Sequence, residues 1–188
     1  MIGIDIALKT LGVLIIKFEA LSFIMILLLF MREITPLIFG EKNKDESNRI
    51  LLSSFLSALT VFIFHFMTSE VRDFTFSFEV EKMKLRKLFY LSMFMMELLF
   101  VIALFYVHRI KKCPFYFVAH FCFMTSSIMC LIQLIQLYLR GFLDLDSFVP
   151  YYKLTVVSIN LLVLVVISIY PIHSLYKLFN IYNPFYKK

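Results

Sequence analysis

Tryptophan is absent from this chain, and glycine and proline are scarce, at 4 and 5 residues. So few chain breakers leave little material for flexible linkers, low-complexity tails or most all-β folds. Only three cysteines are present, Cys113, Cys122 and Cys130. They form no CxxC and no zinc spacing, so a disulfide framework is not expected. Cys122 and Cys130 sit inside an apolar run, where a free thiol behaves as a small hydrophobe. Charge is thin as well, at 17% of residues against about 25% in a soluble domain. No internal repeat with a period of about 20–50 residues is visible.

What is abundant is apolar. Of 188 residues, 61% are hydrophobic and 18% aromatic, with 23 phenylalanines, and the mean hydropathy is +0.87. A compact domain of this size cannot enclose so much apolar surface, so part of it must face lipid. The fold class expected is all-α: a polytopic transmembrane helical bundle with four or five spanning helices and short loops. One integral membrane domain, 1–188, accounts for the length. The net charge of +6 comes mostly from short segments between apolar runs. That placement favours contact with anionic lipid over nucleic acid. Asp5 precedes Lys9 and no small-residue cleavage site follows the first apolar run, so the chain is expected to begin near Met1 without a cleaved signal.

Five apolar segments stand out, at 11–31, 50–68, 88–107, 115–139 and 154–172. Each is long enough to cross roughly 30 Å of hydrocarbon at about 1.5 Å per residue. Backbone groups in lipid must pair within the segment, so these runs should be helices. Lys17 and Glu19 interrupt the first segment and leave its span open: near a helix centre they are unfavourable, near an end they can reach the headgroups. Polar connections follow, notably "FGEKNKDESNR" and the tail "NIYNPFYKK". Pro114 suits the first turn of the fourth helix. "DFTFSFEVE", Asp73–Glu81, alternates polar and apolar residues and predicts an extended segment, packed on the bundle's end or paired with another chain. With five spans, one side carries ten Lys/Arg and the other eight, which does not decide orientation.

An ionisable residue inside a span is the first place to look for function. Glu97 lies mid-segment in "MFMMELLF", and among the span cores it is the carboxylate expected at depth. Its candidate partners are His65, His120, Gln133, Gln136 and Asn160; Gln133 and Gln136 share a helix face, with Ser126 nearby. Two readings compete: a hydrogen-bonded seam that fixes helix packing, or a proton path through Glu97 and the histidines. Methionines 93–96 read as filler. Exposed basic residues, Arg109, Lys111, Lys112, Lys82, Lys84, Arg86 and Lys87, are candidate partner contacts. No HExxH, GxSxG, Walker loop or metal-ligand pair is present, and Ser53, Ser54 and Ser57 near His65 are read as packing serines. Helices broken by Gly or Pro, as in transporters, are not expected. The chain is therefore read as non-enzymatic, without cofactor, metal or direct nucleic-acid binding.

Three functions fit that reading. One is a homo-oligomeric scaffold or sensor that binds a cytosolic protein. A second is an immunity protein against a pore-forming toxin, and a third is a homo-oligomeric channel. The small size, Phe/Ile/Lys-rich composition and multi-span plan resemble accessory membrane proteins of bacterial defence. In length and span count the whole chain is similar to the membrane subunit of the Kiwa anti-phage system, and in character to membrane immunity proteins against colicins. The Kiwa resemblance, carried by overall plan and no motif, implies a homo-oligomer in the bacterial inner membrane. It would sense phage perturbation of the envelope and signal to a cytosolic DNA-binding partner.

Overall fold

The computed structural model describes residues 2–39 and 45–182. Five long helices follow one another: α1 Ile2–Phe39, α2 Glu46–Phe76, α3 Lys82–Ile110, α4 Phe117–Gln136 and α5 Val149–Tyr182. All five are long and apolar enough to cross a membrane. The architecture is that of a multi-pass membrane protein, and Thr10–Arg32 counts as a span despite Lys17 and Glu19. No strand is present among the described residues. The polar stretch after α1 falls largely on residues 40–44, and the Tyr/Lys tail on 183–188, both outside the described residues.

The helices pack as a ring: α1 against α2 and α5, α3 against α2 and α4, α4 against α5. α2 also touches α4 and α5, and 56% of its apolar window is buried, against 22% in α1 and α5. The sequence of α2 explains its central place. Ser53, Ser54, Ser57, Ala58 and Thr60 are all buried, and small side chains let neighbouring backbones approach closely. Their hydroxyls turn back on the helix where no partner is near: Ser57 Oγ donates to Ser53 O at 2.8 Å and Thr60 Oγ1 to Leu56 O at 2.7 Å. Above them Ile26, Ile34, Leu51, Phe55, Leu104 and Ile167 pack into one apolar core. That core fills the half of the bundle where α1 ends and α2 begins.

Several local expectations are corrected. The alternating segment is not extended: α2 runs on through Phe76, and a short turn at 77–81 leads into α3. Thr75 Oγ1 donates to Val71 O at 2.7 Å and Ser77 N–H to Phe74 O at 3.1 Å, so the backbone there is paired within the helix. A lone strand would have left those groups without partners. Phe76 stacks on Phe89 of α3 at 5.0 Å. Two helices contain proline without a break at it: Pro36 lies in α1 beyond the span Thr10–Arg32, and Pro171 lies in α5. α1 bends at Phe30, where φ is −125° and ψ 17°, and its ring meets Tyr170 of α5 at 5.3 Å. Pro114 precedes α4 rather than opening it. The α3–α4 turn is made instead by Lys112, at φ 50°, with Cys113 N–H donating to His108 O at 2.9 Å. α4 ends in a π-helical turn, Leu137–Phe142. Gly141 lies against α3 there: a Cβ would sit 3.2 Å from Lys87 Cγ, so the lysine side chain would have to give way slightly.

All three cysteines are free. Cys113, in the α3–α4 turn, points at Arg49 O at 3.5 Å, and burial pushes its thiol from 9.0 up to about 11. A rise of that size lowers the thiolate fraction at neutral pH by about a hundredfold. Site-resolved mass spectrometry should find Cys113 alkylated at least that much more slowly in the folded protein than in the unfolded chain; equal rates would contradict its placement.

Candidate functional site

The polar residues of the five spans meet in one interior strip. His65, well inside α2, donates from Nδ1 to Glu19 Oε2 of α1 at 2.7 Å. Glu19 is fully buried, at 0% exposure, and its Oε1 has no partner among the described residues. Glu97 of α3 is close enough to His65 to act on it through charge, and Ser126 of α4 is near enough to act on Glu97. Tyr152 of α5 donates to Gln133 Oε1 of α4 at 3.0 Å. Ser22 and Ser168 join α1 to α5 at 2.7 Å. Neighbouring helices around the ring therefore meet through polar side chains or charge.

A vestibule of about 220 Å³ opens among these groups. Its polar lining is His65, Arg72, Glu97, Gln133, Tyr152 and Asn160, with Thr68 and Ser69. Arg72 and Tyr152 belong to the last and first turns of α2 and α5, so the vestibule begins at that end of the bundle. His65 lies roughly 16 Å deeper along α2 at about 1.5 Å per residue. Space of this size with several polar walls accommodates water. Beyond His65 the interior closes onto the apolar core of Val61, Phe100, Leu104 and Val163. The vestibule is thus a blind recess rather than a continuous bore.

Of the predicted seam, His65, Glu97, Gln133 and Asn160 line this recess. Gln136 is buried on the same face of α4 as Gln133, but it bonds Phe148 O at 3.4 Å near the helix end. His120 does not belong: it is exposed, and its Nδ1 turns to Tyr116 O at 3.3 Å. Spacing along α4 had allowed it inward, yet Ala119 and Cys122 occupy the buried face instead. Glu97 is also not the lone carboxylate at depth. Glu19 was read as an interruption of the first segment, and its signal was visible: a carboxylate in a span needs a cation-capable partner. Arg72 and Tyr152, near span ends, carried no such signal.

The serines of α2 are buried between helices, and Ser53 pairs with His108 rather than His65. Ser53 donates to His108 Nε2 at 3.1 Å, since His108 Nδ1 is given to Leu104 O at 2.9 Å. Tyr116 N–H in turn donates to Ser53 Oγ at 3.3 Å. Ser53 and His108 are 0% and 1% exposed, so a substrate has no approach and the pair holds α2, α3 and the α3–α4 turn together. Among the described residues no group of three or more His, Cys, Asp or Glu is placed to hold a metal ion.

The basic candidates divide. Lys82, Lys84, Arg109 and Lys112 are exposed. Arg86 is not: it is buried and bound to Asp144 and Asp146 of the α4–α5 connection. Lys111 donates to Ile38 O at 2.7 Å, closing a carbonyl at the end of α1. Lys87 lies 4.4 Å over the Phe142 ring. These three are spent on the bundle because the connections fold back onto the helix ends. Asp146, exposed, also accepts from Arg140 at 2.7 Å, and that hydrogen bond, followed by the charges of Arg140 and Arg86, holds its carboxyl below the usual carboxylate range. No family model matches this sequence, and neither a curated protein nor a solved structure is significantly similar to it.

Proposed function

We propose that this protein is a non-enzymatic membrane sensor in which a change of charge in the buried cluster of Glu19, His65 and Glu97 alters helix packing. The observation that carries the reading is the buried Glu19–His65 pair, 2.7 Å apart, beside a water-sized recess that also holds Glu97. Three titratable groups on three helices share one charge balance, with Arg72 facing the same recess. α4 and α5 add neutral Ser126, Gln133, Tyr152 and Asn160. Glu19 itself is fully buried, so changing one charge alters the others' energies by on the order of a few kcal/mol. A packing seam alone needs no wet recess reaching a buried ion pair. A channel within one chain is disfavoured by the apolar core that closes the recess.

Self-association, a bacterial inner-membrane setting and a cytosolic protein partner belong to the same proposal. Exposed Lys82 and Lys84 stand at one end of α3 and Arg109 and Lys112 at the other, so whichever end faces the cytosol supplies surface charge for a partner. A role in anti-phage defence rests on the whole-chain resemblance alone.

The test is a spin-label distance between Leu11 of α1 and Leu88 of α3, both exposed near the open end of the recess, in a variant lacking the native cysteines. The distance distribution should shift across about pH 5 to 8, where a histidine titrates, and stay constant in Glu19→Gln. A wild-type distribution that ignores pH would reduce the polar strip to a packing device.

A further inference from the structure

A second recess, separate from the vestibule and from the sensor reading, lies at the same end of the bundle. It encloses about 380 Å³ between the start of α3, the π-helical turn and the start of α5. Four basic residues line it, Lys82, Arg86, Arg140 and Lys153, and no acidic residue is among its lining. Its apolar wall is aromatic: Phe76, Phe89, Tyr90 and Tyr152. We propose that this recess is a binding site for the headgroup phosphate of an anionic phospholipid.

Position is the first argument. Phe76 is the last residue of α2, Lys82 the first of α3 and Val149 the first of α5. All three line the recess, so it sits where spans end and lipid phosphates lie. Charge is the second. Arg86 and Arg140 are held in place by Asp144 and Asp146, and Arg140 also donates to Tyr90 Oη at 3.1 Å. The guanidiniums are therefore fixed donors rather than loose side chains. Lys82 and Lys153 bring two further cations from opposite helices. Asp144 and Asp146 behind the cavity answer only part of the charge of its four basic residues, so an anion bound in it improves the local balance. Shape is the third. The aromatic wall offers apolar contact to the glycerol and upper acyl carbons, which a free phosphate would not use. Basic cavities between spans are a general solution for anionic headgroups.

Native mass spectrometry of the detergent-solubilised full chain tests this, with phosphatidylglycerol, phosphatidylcholine or inorganic phosphate added. Phosphatidylglycerol should be retained in preference to phosphatidylcholine. Each cation near a headgroup contributes about fivefold in affinity, so Lys82→Gln/Lys153→Gln should weaken retention by about 25-fold. Lys82 is exposed and Lys153 half-buried, and neither takes part in the Arg86–Asp144 contact. Equal retention of the two lipids would overturn the proposal, as would a double variant that binds like the wild type. Displacement of the lipid by inorganic phosphate at millimolar level would overturn the lipid assignment and mark a free-anion site. None of these results depends on whether Glu19 and His65 respond to pH.

Discussion

His65→Ala should be among the most destabilising single substitutions in this protein, and more so than Glu19→Ala. The reason is what each change leaves behind. Removing His65 strands a carboxylate that is 0% exposed, whose Oε1 already lacks a partner among the described residues. An uncompensated buried charge costs about 3–5 kcal/mol. Removing Glu19 strands an imidazole, which can be neutral, and which retains one side on the recess. That leaves an unmet donor, at about 1–3 kcal/mol. Glu19→Ala/His65→Ala should be more stable than His65→Ala alone, since the stranded charge is gone. Reversible unfolding in mixed detergent, run as a double-mutant cycle, reads all four species. If both single variants fell within about 0.5 kcal/mol of the wild type, the pair would not exist in the membrane.

The second large effect is expected at Arg86. Its side chain is 8% exposed, while Asp144 and Asp146 are 61% and 56% exposed. Arg86→Ala lets the two carboxylates rehydrate, so the loss is that of charge-assisted hydrogen bonds discounted for solvent, about 2 kcal/mol. Arg86→Lys should recover only part of it, because one ammonium cannot span two carboxylates as a planar fork does. The effect should be local: hydrogen exchange should quicken at 143–148 and the first turn of α5, and hardly change around Leu104. Acid should mimic the change. The Asp146 carboxyl is depressed from its usual 3.8, so its contribution is fully present above that value. It is lost as pH falls through the lower folded-state value. Uniform exchange at 143–148 in wild type and Arg86→Ala would show that the cluster does not hold the connection.

Five apolar segments were legible without coordinates, with Lys17 and Glu19 leaving the count of spans at four or five, because the bilayer imposes length and internal backbone pairing on any apolar run that crosses it. The element the sequence misplaced was Asp73–Glu81. Its period-two pattern is a strand signal only where one face meets water and the other a core. At a helix end beside lipid, Phe74 and Phe76 stay exposed, at 63% and 56%, and the pattern carries no such meaning. Glu97 and His65 were recognisable as members of a functional strip, because polar side chains in hydrocarbon are costly and need partners.

Which partners they took was decided by tertiary structure alone. In water, a helix marks its inward face by being apolar there and polar elsewhere. In lipid both faces are apolar, so Leu28 at 76% exposure and Ile26 at 0% look alike in sequence. That is why His120 was turned inward, Glu19 was left at a boundary and Arg86 was counted as free surface. Length and hydropathy determined that this chain carries five helices long and apolar enough to cross a membrane. Only the rotation of each helix about its own axis, set by close packing around the small residues of α2, decided that Glu19 meets His65 and that a recess opens beside them.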